Sequence, residues 1–138
     1  MSLSKYQKRR AILDETNLEK LLNAQILNNH HIFTMSLSSH KSGDIVLPFY
    51  LTVIEVKSPE SKTFINPQAT ESLSNQYYNM LAFADSGMHS YYAIHFEWWE
   101  FFEVRSNIYK MKESEGKKLG DFLKILQTFY LTPGEIMN

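Results

Sequence analysis

Near the start of the chain apolar residues recur at steps of four, at Leu18, Leu22 and Ile26, with Leu21 alongside. This spacing predicts a helix over about residues 5 to 28 with one stripe turned to a core. Asn28 and Asn29 are its expected stop, and His31 to Met35 reads as a strand. The polar stretch Ser38 to Gly43 reads as a loop. Two short apolar runs follow, Asp44 to Leu47 and Leu51 to Lys57, on either side of Pro48. They predict a hairpin with a loop of about four residues. Pro59 and Pro67 exclude regular pairing in the segment 58–67. Leu73, Tyr77, Met80 and Ala84 mark the buried face of a second helix over about 68–85, with Gly87 as its stop. Ser90 to Phe96 and Trp99 to Val104 read as two more strands, and Leu119 to Tyr130 as a last amphipathic helix. The predicted order is helix, three strands, helix, two strands, helix. It gives an α/β sandwich with a central mixed five-stranded sheet flanked by helices.

The hairpin carries the candidate chemistry. Folded symmetrically about its turn, it pairs Leu47 with Thr52, Val46 with Val53, and Asp44 with Glu55. Directly opposed residues have Cβ atoms about 4.5–5.5 Å apart. Glu55 and Lys57 share a face, separated by roughly 6.6 Å along the strand. Asp44, Glu55 and Lys57 therefore converge on one side of the sheet. Ile45, Leu47, Thr52, Ile54 and Val56 line the other. Two facing carboxylates repel, and a hard divalent cation relieves the conflict, because Mg²⁺ takes oxygen ligands and is held by one or two carboxylates plus water. The backbone carbonyl of Val56 is a candidate further ligand. Lys57, one pleat on, is placed to hold or help activate an attacking water and to stabilise charge on a phosphoryl group. The competing reading is an exposed strand face with a Glu–Lys pair worth little to stability.

Two further polar residues fall at core-facing positions. Glu15 lies on the Leu18, Leu22, Ile26 stripe, as a metal ligand, direct or through water, or simply as a favourable acid in an early helical turn. Gln76 lies among Leu73, Tyr77, Met80 and Ala84, as a phosphate- or water-holding group or as a boundary residue.

At 138 residues, 43% hydrophobic and 14% aromatic, the chain has the composition of one globular domain. It has no cysteine, which excludes disulfides, thiolate metal sites and a thiol nucleophile. No apolar run approaches the ~20 residues of a membrane span, and MSLSKYQKRR lacks the apolar core of a signal peptide. A soluble, cytoplasmic protein is expected. Net charge is −1, but residues 1–62 hold eight Lys/Arg against six Asp/Glu, and the remainder six against nine. Lys5, Lys8, Arg9, Arg10, Lys41, Lys57 and Lys62 could form a basic face on a near-neutral chain, and the competing reading is an ordinary solvated charge mix.

These motifs resemble the archaeal-type Holliday junction resolvases, small PD-(D/E)xK endonucleases also carried by viruses and phages. Glu15 to Leu22 is similar to the family's first-helix motif, an acid ahead of a Leu-Leu stripe. Ser42 to Val46 and Val53 to Ser58 resemble its two catalytic strands. Gln76, Met80 to Phe83 and Gly87 resemble its second helix, and Tyr92 to Phe96 and Trp99 to Val104 its last two strands. The resemblance implies a restriction-endonuclease-like fold over residues 1–138 and Mg²⁺ (or Mn²⁺) held by Asp44 and Glu55 with support from Glu15. It also implies catalysis assisted by Lys57, and a homodimer that nicks opposing strands of a four-way junction to leave 5′-phosphate and 3′-hydroxyl ends. The chain departs from the pattern in having Gly43 rather than proline before Asp44, and in being near neutral. Fewer cations predict weaker DNA binding, with Ser38, Ser39, His40 and Lys41 as candidate phosphate contacts.

Other features carry less. His30 and His31 would point to opposite faces of a strand and make no metal site. Tyr91, Tyr92, Trp98, Trp99, Phe101 and Phe102 are expected to be mostly core. The alternatives to a resolvase are another nuclease of the same chemistry (restriction-like, repair or exonucleolytic) and a non-catalytic DNA-binding module on the same fold.

Overall fold

The computed structural model describes residues 16–36, 45–57, 71–104, 116–132 and 134, with side chains undescribed over 71–77. The architecture is α/β. Five strands, β1 (Ile45–Leu47), β2 (Thr52–Lys57), β3 (His89–His95), β4 (Trp99–Glu103) and β5 (Lys117–Lys118), form one sheet in the order β1-β2-β3-β4-β5. Pairing is antiparallel except between β2 and β3, which run parallel. A parallel pair needs a long crossover, and α2 (Glu71–Asp85) lies within it. The other helices are α1, residues 16–30, and α3 (Leu119–Phe129).

Side-chain alternation splits the sheet into two apolar faces. Ile45, Leu47, Ile54, Val56, Tyr91, Ala93, Trp99 and Phe101 pack with Leu22 and Leu27 of α1 and Phe122 and Leu126 of α3. Phe122 stacks on Phe101, ring centroids 3.9 Å apart and planes nearly parallel, and meets Tyr91 edge-on at 5.0 Å. The opposite face, Val53, Tyr92, Ile94, Phe102 and Val104, packs with Met80 of α2 and with Leu81, Phe83 and Met88. Each face is thus sealed by helices, and β2 is buried at all six positions. This explains why its sequence reads as a nearly continuous apolar run.

The hairpin has the predicted register: Leu47 pairs with Thr52, Val46 with Val53, and Ile45 with Ile54. Its loop is a single 3₁₀ turn, Pro48–Tyr50, begun by proline and closed by Leu51 in the left-handed region at φ 46°. Helix α2 ends as Gly87 predicts. The Met88 N–H donates to the Phe83 carbonyl and the Gly87 N–H to Ala84, with Gly87 at φ 99°. This is a Schellman motif, and Phe83 and Met88 supply its apolar contact.

The N-terminal third departs from expectation. Helix α1 does not stop at Asn28 and Asn29. It winds as a π-helix over Leu21–Leu27, then as a 3₁₀ turn over Asn28–His30. The wider winding moves the buried stripe: Leu22 and Leu27, five apart, are fully buried, while Leu18, Leu21 and Ile26 are only partly so. A second Schellman closure ends it, with Ile32 N–H donating to Leu27 and His31 N–H to Asn28, and His31 left-handed at φ 58°. His30 and His31 therefore belong to a helix end, not a strand edge. The closure takes the N–H groups of His31 and Ile32 back into the helix end, and the segment 31–35 contributes one bridge, Met35 to Val46, rather than a strand. The fifth strand is instead Lys117–Lys118 on β4. Gly116 precedes it, passing so near Glu100 and Phe102 that a Cβ there would lie 2.8 Å from each.

His89, at the start of β3, stacks on Phe129 with centroids 3.5 Å apart. Burial lowers its pKa from the ordinary value, and the charge of Glu103 opposes the shift. The folded state therefore binds this proton less readily than the unfolded chain. The associated stability is present above about pH 6.5 and lost as pH falls through the lower folded value. Urea midpoints should decline from about pH 7 to 5, and His89→Gln should flatten part of that decline. An identical slope in the variant would exclude His89 as its source.

Candidate functional site

Four polar or charged residues are buried among those described: Thr52, Ser90, Glu55 and Lys57. The first two have structural partners. Thr52 Oγ1 donates to the Tyr50 carbonyl and Ser90 Oγ to that of Met80, each at 2.8 Å. Glu55 and Lys57 are the two charged members. They are 5% exposed each and lie two positions apart on β2, an interior strand flanked by β1 and β3. Lys57 Nζ is 3.6 Å from Glu55 Oε1.

The local sequence accounts for this arrangement. Val53, Glu55 and Lys57 alternate with Ile54 and Val56, whose side chains enter the opposite core. Glu55 pairs in register with Tyr92 and Lys57 with Ile94, so both charges stand on the face covered by α2. Withdrawing a carboxylate and an ammonium from water costs several kcal/mol per ion, and their mutual attraction offsets this only in good geometry. An exposed Glu–Lys pair of little consequence is therefore ruled out. The pair is an expensive feature in a strand that apolar residues would stabilise as well. The carboxylate is an acceptor-only group, suited to a hard cation. The Val56 backbone lies between the two charged residues, with its side chain in the other core.

The remaining predicted site residues divide by placement. Position 76 lies on α2 one turn before Met80, which is fully buried; the Gln76 side chain falls outside the described residues. Glu15, Asp44, Lys5, Lys8, Arg9, Arg10, Ser38, Ser39, His40, Lys41 and Lys62 also fall outside them. Among the described residues no group of three or more His, Asp or Glu side chains is placed to hold a metal ion. None of their helices is long and apolar enough to cross a membrane.

The aromatic set is mostly core, as expected: Tyr91, Tyr92, Trp99, Phe101 and Phe102 are buried, and Trp98, 48% exposed, is the exception. Trp98 Nε1 donates to Glu100 Oε1 at 3.1 Å, and Lys118 Nζ sits 5.2 Å from its ring centroid. The step of two from Trp98 to Glu100 was the available signal for this pairing.

No family model, curated protein or solved structure matches this chain.

Proposed function

We propose that this chain is a divalent-cation-dependent endodeoxyribonuclease of the PD-(D/E)xK type, on a restriction-endonuclease-like fold, acting as a homodimer on four-way DNA junctions. The observation that carries the reading is the buried Glu55–Lys57 pair on an interior strand. The hairpin register adds to it, because continuing that register by one residue would set Asp44 opposite Glu55. The parallel β2–β3 step through α2 adds a helix carrying position 76 over the same face.

In this reading Glu55, Asp44 and the Val56 carbonyl hold Mg²⁺ or Mn²⁺, with Glu15 in support. The bound cation supplies Lewis-acid stabilisation of the phosphoryl oxygens and lowers the pKa of a coordinated water. Lys57 holds the attacking water and stabilises developing charge. Gln76 orients that water or a phosphate oxygen. Lys5, Lys8, Arg9, Arg10, Ser39, His40, Lys41 and Lys62 contact the DNA backbone, which gives affinity without sequence preference.

The test is cleavage of a labelled four-way junction beside linear duplex and single strand, with Mg²⁺ and with EDTA. Paired, symmetric nicks on the junction alone, lost in EDTA, are the expected result. Cleavage of all three substrates would keep the nuclease and remove the resolvase. Folded protein that binds DNA but cleaves nothing, with Mn²⁺ also tried, would leave a binding module.

A further inference from the structure

One row of residues crosses the sheet on the face that carries the charged pair. Lys57 pairs with Ile94, Ile94 with Glu100, and Glu100 with Lys118. Directly paired residues project to the same side, so this row leads from the candidate site on β2 to Lys118 on β5. Trp98 is two residues before Glu100, bonded to its carboxylate and lying against Lys118. Because β2 and β3 are parallel, the β3–β4 turn bearing Trp98 stands at the end of the sheet where β2 finishes at Lys57. From strand spacings of about 4.8 Å, Trp98 lies on the order of 10–14 Å from Lys57. That distance is about three or four nucleotides of a DNA strand.

We infer that Trp98 is a stacking platform for an unpaired DNA base, with Lys118 beside it for the adjoining phosphate. The assignment rests on the nuclease reading for its place beside a scissile phosphate, and it narrows the substrate to DNA with an unpaired or unstacked base near the cut. Three observations carry it. An indole half open to solvent is held by a hydrogen bond and a cation, so little conformational entropy remains to be lost when a base stacks on it. Lys117 and Lys118 are both exposed at the same edge, matching the charge of a nucleic-acid strand. The ring also shares the face and the sheet end of the Glu55–Lys57 pair. Glu97, exposed in the turn, disfavours a phosphate on its own side and leaves Lys118 as the cation for it. A fully paired duplex hides its base faces except at the ends. An exposed aromatic ring with Lys118 beside it therefore suits single-stranded or branched DNA.

Trp98 and Trp99 are the two tryptophans of the chain, which makes the test direct. In EDTA, where cleavage is suppressed, tryptophan emission is followed as a single-stranded DNA oligonucleotide or a closed-end duplex of the same sequence is added. Single strand should quench the native protein, and the quench should vanish in Trp98→Phe, which keeps only Trp99. Trp98→Ala should weaken single-strand affinity roughly 5- to 100-fold, with Trp98→Phe affected far less and the duplex bound more weakly throughout. Unchanged affinity in Trp98→Ala, binding without quenching, or equal affinity for duplex would overturn the assignment. So would an altered oligomeric state in Trp98→Ala with DNA binding untouched, which would make the ring part of an interface between copies. Cleavage in Mg²⁺ is read separately. Quenching without cleavage keeps the platform and removes the nuclease, and cleavage without quenching does the reverse.

Discussion

Glu55→Gln is expected to reduce Mg²⁺-dependent DNA cleavage by at least about 10²–10³-fold, the scale on which removing one electrostatic group from a preorganised site acts. The amide keeps the shape of the side chain and one acceptor oxygen but loses the charge that a cation and Lys57 both require. Asp44→Asn and Lys57→Ala should give losses of the same order if they belong to one unit, and combining them should add little, because residues acting together are grossly non-additive. DNA binding in EDTA should persist, since backbone contacts supply most of the affinity. Full activity in purified, folded Glu55→Gln would remove the proposed mechanism.

The second large effect is on stability, and it separates the pair from ordinary core residues. With Glu55 and Lys57 buried 3.6 Å apart, Glu55→Ala or Lys57→Ala removes one half of a buried ion pair. Each should cost about 3–5 kcal/mol. The double replacement Glu55→Met with Lys57→Met should instead be neutral or stabilising by about 1–4 kcal/mol, because an apolar pair of similar volume needs no desolvation. Urea unfolding of the wild type, the singles and the double forms the cycle that measures this coupling. A double variant that is more stable yet inactive would identify a charge pair retained for chemistry. A double variant as unstable as the singles would show that the pair holds the sheet together. The same burial means that cleavage by each single variant must be read beside its folded fraction.

Legibility of the sequence varied with how strongly each local signal was constrained. The hairpin register followed from the Pro48 turn, because loop length and the buried faces together leave little freedom to slip. The end of α2 followed from Gly87, whose left-handed backbone few other residues tolerate. Glu55 and Lys57 were legible as a same-face pair by alternation, but their depth depended on α2 packing across them. The segment 31–35 makes one bridge rather than a strand, with the N–H groups of His31 and Ile32 spent on the helix end, and the Leu18, Leu22, Ile26 stripe shifted because π winding is invisible to a period of four. Lys117–Lys118 is too short and polar to announce a strand. Trp98 is the exception among the aromatic residues because it lies in the turn before β4, and the run Trp98-Trp99-Glu100-Phe101-Phe102 does not show which ring falls outside the strand.

The parallel step between β2 and β3 also bears on the order in which the molecule assembles. The β1–β2 and β3–β4 pairs close over a few residues each, whereas joining Lys57 to Ile94 brings together positions 37 apart in the chain. Loop-closure entropy delays such a contact. Both hairpins can therefore form while Glu55 and Lys57 remain hydrated, and the charges are dehydrated only when the two hairpins dock. Glu55→Ala and Lys57→Ala are accordingly expected to speed unfolding more than they slow folding, which the two arms of a urea chevron measure.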